Sequence, residues 1–207
     1  MKLNDYLSNP CGSLSIPYWK DKMFDIPSNV QIYHEKDFIY SEDKHLKIEK
    51  FFRLIHRLNQ IPQEDQKVYS ISIKNDIDEL VNMINISYQN ENIQVSKKDV
   101  EQWISRSVFD ENLWVKIAIN GKIIASGIAE FDFETKEGIL EWIQVLPEYQ
   151  GCGFGKLIVN ALINRLSKIA DFITVSGRLE NLSNPIKLYA DCGFQGNDIW
   201  YICTIKK

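Results

Sequence analysis

The sequence predicts a mixed α/β (α+β) fold, with a mixed, mostly antiparallel twisted sheet flanked by helices on both faces. Three observations carry this expectation. Asn120-Gly121 stands between two alternating apolar runs, and both residues tolerate the positive φ of a type I′ hairpin turn. Segments with one apolar helical stripe alternate with β-branched, aromatic-rich runs. A strand then enters a glycine loop, a helix and a second strand, the order that implies a parallel pair. The 207 residues suffice for one large domain, or for one domain with an extension. With 44% hydrophobic and 25% charged residues, the composition is that of a packed globular chain, not a disordered or fibrous one.

The first 66 residues differ from the rest. Asn9-Pro10-Cys11-Gly12 and Ile16-Pro17 read as turns and loops. Val30-Gln31-Ile32-Tyr33 alternates as a short strand does. Residues 46–58 fit either a helical face, through Ile48, Phe51, Phe52 and Ile55, or a strand over Phe51–His56. Ile61-Pro62-Gln63-Glu64-Asp65 is a connector. Val68–Ile73 follows as a strand. Asp76 stands where it caps a helix whose stripe is Ile77, Leu80, Val81, Ile84 and Tyr88. Ser96, with Asp99 three residues on, opens a second helix that buries Val100, Trp103 and Ile104.

Leu113–Ile119, residues 122–133 and Ile139–Leu146 make an antiparallel meander, turned first at Asn120-Gly121 and then at 134–138, and stopped by Pro147. A helix with Leu157, Ile158, Ala161, Leu162 and Leu166 on one stripe comes next. Strand Phe172–Ser176, a short helix 185–191 closed near Gly193, and strand Ile199–Ile205 complete the chain.

The segment Gln150-Gly151-Cys152-Gly153-Phe154-Gly155-Lys156 joins a strand to a helix. Alternating glycines let successive backbone N–H groups converge, because no Cβ intervenes. The start of the helix adds unpaired donors and the positive end of a dipole. Together these favour a phosphate or pyrophosphate. A Walker A loop needs four residues between its first glycine and Gly-Lys-Ser/Thr; here Gly151 is too near Gly155-Lys156, and Leu157 replaces the hydroxyl residue. A dinucleotide fingerprint needs a small residue where Lys156 stands, and further βαβ units after it.

The loop resembles the signature Gln/Arg-x-x-Gly-x-Gly/Ala of the GNAT superfamily of acyl-CoA N-acyltransferases, with Gln150, Gly153 and Gly155 at the signature positions. Leu188-Tyr189-Ala190-Asp191-Cys192-Gly193-Phe194 resembles the family's Leu-Tyr-x-x-x-Gly-Phe motif. Both fall in the family's order, so the resemblance covers about residues 68–207. It implies a GNAT domain over 67–207 with a GNAT-like fold. Residues 1–66 become an N-terminal extension packed on the core, like that of some bacterial members. The implied activity is N-acetyl transfer, or transfer of another short acyl group, from acetyl-CoA to a primary amine in a ternary complex.

The same resemblance assigns site residues. Main-chain groups of Ile143 and Val145 would pair with the pantetheine arm, and backbone N–H groups from Gln150, Gly151, Cys152, Gly153, Phe154, Gly155 and Lys156 would hold the pyrophosphate. Tyr189 takes the position of the acid that protonates the departing thiolate; a phenol of pKa ~10 is still a donor at neutral pH. Asn184, or Asn181, matches an asparagine near the cofactor thiol. Strand alternation puts Glu141 on the same face as Ile143, which makes it the candidate base. Glu130, Glu137 and Asp132 are further carboxylates for that role.

Other features narrow the classes. A formal charge of −4 implies no broad basic surface, so no nucleic-acid partner is expected. Local basic pairs, Lys97-Lys98 and Lys206-Lys207, read as solvated surface. Met1–Leu7 lacks an apolar stretch and cleavage site, and no apolar run approaches the ~20 residues of a membrane span. Cys11, Cys152, Cys192 and Cys203 form no C-x-x-C pair, so neither disulfides nor zinc is expected, and the cytoplasm is the expected location. Cys152 is read as a small residue filling the loop. His34, His45 and His56 show no metal-ligand spacing, and no metal is expected. Trp103, Trp114, Trp142 and Trp200 either line an acceptor pocket or fill core and rim. The expected partner is a small-molecule or peptide amine, with the protein a monomer or homodimer. Two other classes stay open: a non-catalytic acyl-CoA sensor, and an interaction module on the same fold.

Overall fold

The computed structural model describes residues 1–40, 46–91, 93–181 and 183–205; His45, Lys206 and Lys207 lie outside them. In chain order the elements are α1 (Leu3–Ser8), α2 (Pro10–Ser13), α3 (Tyr18–Met23), β1 (Val30–His34), β2 (Leu46–His56), β3 (Tyr69–Ser70), α4 (Ile77–Ser87) and α5 (Lys97–Ile104). There follow β4 (Trp114–Ile119), β5 (Lys122–Asp132), β6 (Glu137–Val145), α6 (Phe154–Leu166), β7 (Phe172–Arg178), α7 (Pro185–Ala190) and β8 (Gln195–Ile205). Two compact units result: Met1–Arg57 with Thr174–Lys207, and Leu58–Ile173.

In the Leu58–Ile173 unit, β3, β4, β5 and β6 are consecutive antiparallel neighbours. The two-residue turn between β4 and β5 has φ of 51° at Asn120 and 81° at Gly121, as a type I′ hairpin requires. The next turn is organised by Asp132, whose carboxylate accepts from Glu134 N–H at 2.9 Å and from Thr135 Oγ1 at 2.9 Å. That explains Asp132 as a turn residue.

Helices cover both faces of this meander. On one face α6 lies so close that a Cβ at Gly127 would stand 2.4 Å from Ile158 Cγ2, and one at Gly138 would stand 2.8 Å from Leu166. On the other face Ile77, Leu80 and Ile84 of α4 and Val100 of α5 pack with Trp114 and Ile128. Ser96 and Asp99 form a full capping box at α5. Asp76 does occupy the position before α4, but its carboxylate turns back to Ser72 N–H and to the Lys116 ammonium instead of capping the helix. Strand signal at 68–73 shortens to Tyr69–Ser70, since that strand has β4 as its partner over two residues only.

In the unit formed by Met1–Arg57 and Thr174–Lys207, β8 pairs antiparallel with both β1 and β2. Residues 46–56 are therefore a strand, which settles the helix-or-strand alternative. β8 starts at Gln195, four residues before the apolar run that marked it, because Ile55 still pairs there. Residues 3–23 hold three short helices where the sequence reads turns and loops. Asn9 explains one of them: its side chain accepts from Gly12 N–H, and Pro10 fits the first helical position.

The buried Arg53 joins these helices to the strands. Its guanidinium donates to Tyr6 Oη at 2.8 Å, Pro10 O at 3.3 Å, Ser176 Oγ at 3.3 Å and Thr174 Oγ1 at 3.4 Å. Trp200 Nε1 donates to Cys11 O at 2.8 Å. Among the described residues no helix is long and apolar enough to cross a membrane.

Two stability tests follow. Gly127→Ala is expected to cost about 1–3 kcal/mol, read as a fall in Tm of roughly 3–9 °C by differential scanning calorimetry, since the added methyl meets the fully buried Ile158. His56 is only 3% exposed, and burial holds its imidazole below the ordinary value of 6.5. Below that value the unfolded chain binds more protons than the folded one, so stability is lost as pH falls through it. The Tm difference between about pH 7.5 and about pH 5 should be smaller in His56→Gln than in the wild type.

Candidate active site

The loop begins where β6 ends. Pro147–Tyr149 makes one 3-10 turn, and Gln150 is extended, with φ −65° and ψ 151°. Gly151 and Gly153 then take φ of 76° and 85°, a region that side-chain-bearing residues avoid. An added Cβ at either would meet nothing within 4 Å, so these glycines serve the backbone path and leave open space above it. Gly153 is the residue before α6, and the first α-helical bond runs from Leu157 N–H to Gly153 O. The amides of Phe154, Gly155 and Lys156 thus lie ahead of the helical ladder.

No acidic residue occupies the first turn of α6, and no side chain caps it. Its 13 residues present an uncompensated dipole end beside the exposed Lys156. This is a donor set that fits a pyrophosphate. Gln150 does not point outward here: its Nε2 donates to Val145 O at 3.2 Å, back onto the end of β6. Cys152 is exposed, with Sγ 3.7 Å from Gln150 O.

Strand β6 departs from simple alternation. Ile128 faces Trp142 and Ala129 faces Leu140, so Glu141 is an extra residue in a β-bulge. The bulge overturns the expectation that Glu141 shares a face with Ile143. The Ile143 side chain lies on the α6 face, where its Cδ1 would stand 3.2 Å from a Cβ at Gly127. Glu141 instead lines a small cavity with Trp142, Trp103, Trp114 and Phe109. Trp103 stacks on Trp142 at 5.1 Å and 21°, and Phe109 meets Trp114 edge-on at 5.5 Å.

Arg106 and Glu130 complete the cavity, as an ion pair of 2.9 Å. Arg106 and Phe109 follow α5 and carry no pattern in the sequence, and only the fold brings them to Glu141. Trp200 is not part of this group and belongs to the other unit. Glu137 is fully buried at the start of β6.

Tyr88, read as one of the apolar stripe of α4, has a polar function as well. Its hydroxyl donates to Ile143 O at 3.4 Å while its ring meets Trp142 edge-on at 5.5 Å. Burial first, and the nearby Glu91 second, push its phenol up to about 12, so it remains a donor at neutral pH. Ile143 and Val145 therefore each have a carbonyl engaged by a side chain, of Tyr88 and Gln150 respectively.

Tyr189 and Asn184 lie in the other unit. Tyr189 is buried on α7, its ring 5.6 Å from Phe194 and 6.1 Å from Phe52. Asn184 precedes α7 in the left-handed region, with φ 49°, and its side chain accepts from Lys187 N–H at 3.4 Å. Asn181 Oδ1 accepts from Ser183 N–H and Oγ, which organises the same loop. Phe194 N–H and Gly193 N–H close the helix on Tyr189 O and Ala190 O. Among the described residues no group of three or more His, Cys, Asp and Glu side chains is placed to hold a metal ion.

Comparison with known proteins bears on the fold and the family. The chain aligns over 91% of its length with a GCN5-related N-acetyltransferase from Sphaerobacter thermophilus, at TM-score 0.68 and 11% identity, and spans 64% of that protein. It matches a GNAT-family acetyltransferase from Colwellia psychrerythraea over 78% of its length, at TM-score 0.60 and 15% identity, and spans 57% of it. The ribosomal-protein-S18-alanine N-acetyltransferase from Escherichia coli matches 68% of the chain, at TM-score 0.52 and 21% identity, with 94% of that protein covered. At these identities the likeness is one of fold. No curated protein matches the sequence. The sequence model of the Acetyltransferase (GNAT) family matches residues 55–194, which span the meander, the glycine loop and the Tyr189 motif. The chain belongs to the acetyltransferase (GNAT) family.

Proposed function

We propose that this chain is an acyl-CoA-dependent N-acetyltransferase that moves an acetyl, or another short acyl group, to a primary amine by direct transfer in a ternary complex. The observation that carries this reading is the strand end at Val145, followed by two positive-φ glycines and the uncapped start of α6. Backbone amides from Gly151 to Lys156 would hold the pyrophosphate, with Lys156 adding a positive charge at the rim. Main-chain groups of Ile143 and Val145 would receive the pantetheine arm, Gln150 yielding the Val145 carbonyl and Tyr88 steadying that of Ile143. Asn184 is assigned near the thiol by the family motif.

When bound, acetyl-CoA supplies an activated acyl thioester. The chain's own residues then manage two protons. The Glu141 carboxylate takes one from the acceptor nitrogen, which cannot attack while it is an ammonium. The Tyr189 hydroxyl gives one to the departing sulfur, and the second proton that the nitrogen sheds as the amide forms restores the phenol. The bulge serves the first task, because it aims Glu141 into the aromatic cavity and away from the helix-covered face. The acceptor is a small molecule or a peptide amine, and the protein works in the cytoplasm as a monomer or homodimer.

Calorimetric titration with acetyl-CoA tests the reading. The expected Kd is on the order of 1–100 µM, with at least about a hundredfold weakening in Gly153→Glu, where a carboxylate and a strained φ enter the phosphate cradle. A folded wild-type protein, free of CoA, that shows no heat would overturn it. A thiol titration with a chromogenic disulfide gives an independent view. Cys152 is exposed and the other three cysteines are buried, so one thiol should react quickly in the native protein, and acetyl-CoA should slow that reaction several-fold.

A further inference from the structure

The cavity beside Glu141 has a composition that selects among amines. Its walls are the rings of Trp103, Phe109, Trp114 and Trp142, and its polar atoms come from Arg106, Glu130 and Glu141. One guanidinium against two carboxylates leaves this lining with a formal charge of −1. Aromatic faces and negative charge together attract a cation, the faces through their quadrupole. Trp103, Arg106, Glu141 and Trp142 are each half-buried, so the cavity reaches solvent.

Size then limits the cation. The cavity offers about 10 Å³, room for one group the size of a water molecule. A primary ammonium is that size. A trimethylammonium, a guanidinium or an aromatic ring is larger. Arg106 lies against Glu130 at 2.9 Å, so part of the negative lining is already matched. An α-amino group sits on a branched carbon and next to a carboxylate or amide, which the indole walls and the negative lining both disfavour.

Resting on the transferase reading above, we infer that this cavity receives the head of the acceptor, and that the acceptor is an unhindered primary alkylammonium, of the CH2–NH3+ type, not an α-amino group or a quaternary amine. Glu141 is its counter-ion on arrival and takes its proton before transfer. That proton leaves the nitrogen lone pair free to attack and turns the Glu141 carboxylate into a neutral acid.

Tryptophan indole signals give the test, because the chain has five tryptophans and three of them line the cavity. The uniformly 15N-labelled full chain is titrated with n-butylammonium, n-butanol and n-butyltrimethylammonium while the indole N–H resonances are followed. The expected result is saturable movement of the Trp103, Trp114 and Trp142 signals with n-butylammonium in the millimolar range, while Trp19 and Trp200 stay still. The alcohol and the quaternary amine should be at least about tenfold weaker. Glu141→Gln, which keeps the side chain's shape and removes its charge, should weaken n-butylammonium by about tenfold or more, with an unchanged Tm showing that the variant is folded. Equal response to the alcohol or the quaternary amine, or full affinity in Glu141→Gln, would overturn the inference. Acetyl-CoA is titrated into the same sample. An amine response without acetyl-CoA binding keeps the cavity assignment and removes the transferase reading. Acetyl-CoA binding without an amine response removes the cavity assignment alone.

Discussion

The contact between α6 and the strands beneath it sets the geometry of the Leu58–Ile173 unit. Gly127 and Gly138 admit Ile158 and Leu166 to distances that no side chain would allow. That closeness fixes the height of α6 over β5 and β6, and therefore the path of the loop that leaves β6 to start it. The far end of the helix is held as well. Arg165 reaches Glu64, Ser70 Oγ and Asn112 O, and Asn164 donates to Pro62 O. With its length packed and its C-terminal end tied, α6 carries its open N-terminal amides at a defined place. The proposed phosphate cradle is thus a product of core packing as much as of loop sequence.

On the opposite face the same strands carry chemistry of another kind. α4 and α5 bury an apolar cluster against Trp114 and Ile128, and at its border the indoles of Trp103 and Trp142 meet the Glu141 carboxylate. One sheet thereby separates two demands. Its α6 side supports backbone donors for an anion. Its α4 side gathers aromatic rings and carboxylates suited to a cation. β6 connects them, since it ends in the glycine loop and bulges at Glu141. The proposed reaction needs such a division, because an acyl donor rich in phosphate and a cationic amine must be held by surfaces of opposite character.

The parts legible in the sequence were those written in local chemistry. Asn120-Gly121, the Ser96–Asp99 capping box, the stripe of α4 and the glycine loop each depend on residues a few positions apart. The family followed from two such local motifs and is borne out by residues 55–194. The failures share a cause. Glu141 was given the wrong face because a bulge is a property of two strands, and alternation along one strand cannot reveal it. Asp76 looked like a cap, yet Lys116 and Ser72, both fixed by the fold, claim its carboxylate. Arg106 and Phe109 carry no local sign of lining the cavity for the same reason. The helices of residues 3–23 were hidden by Asn9-Pro10 and Ile16-Pro17, which punctuate a chain in loops and at helix starts alike.

The bulge at Glu141 also confines a change of length in β6 to one face of the sheet. Replacing Glu141 changes one functional group. Deleting it would restore regular pairing, with Ile128–Trp142 followed directly by Ala129–Leu140 and every other partner unchanged. Gly138 would still face Leu166, and the cavity alone would lose its carboxylate. Along this strand, the one extra residue serves the cavity and not the surface beneath α6. Replacing or losing the residue at this position acts on the cavity, while the pairs that carry the glycine loop keep their register.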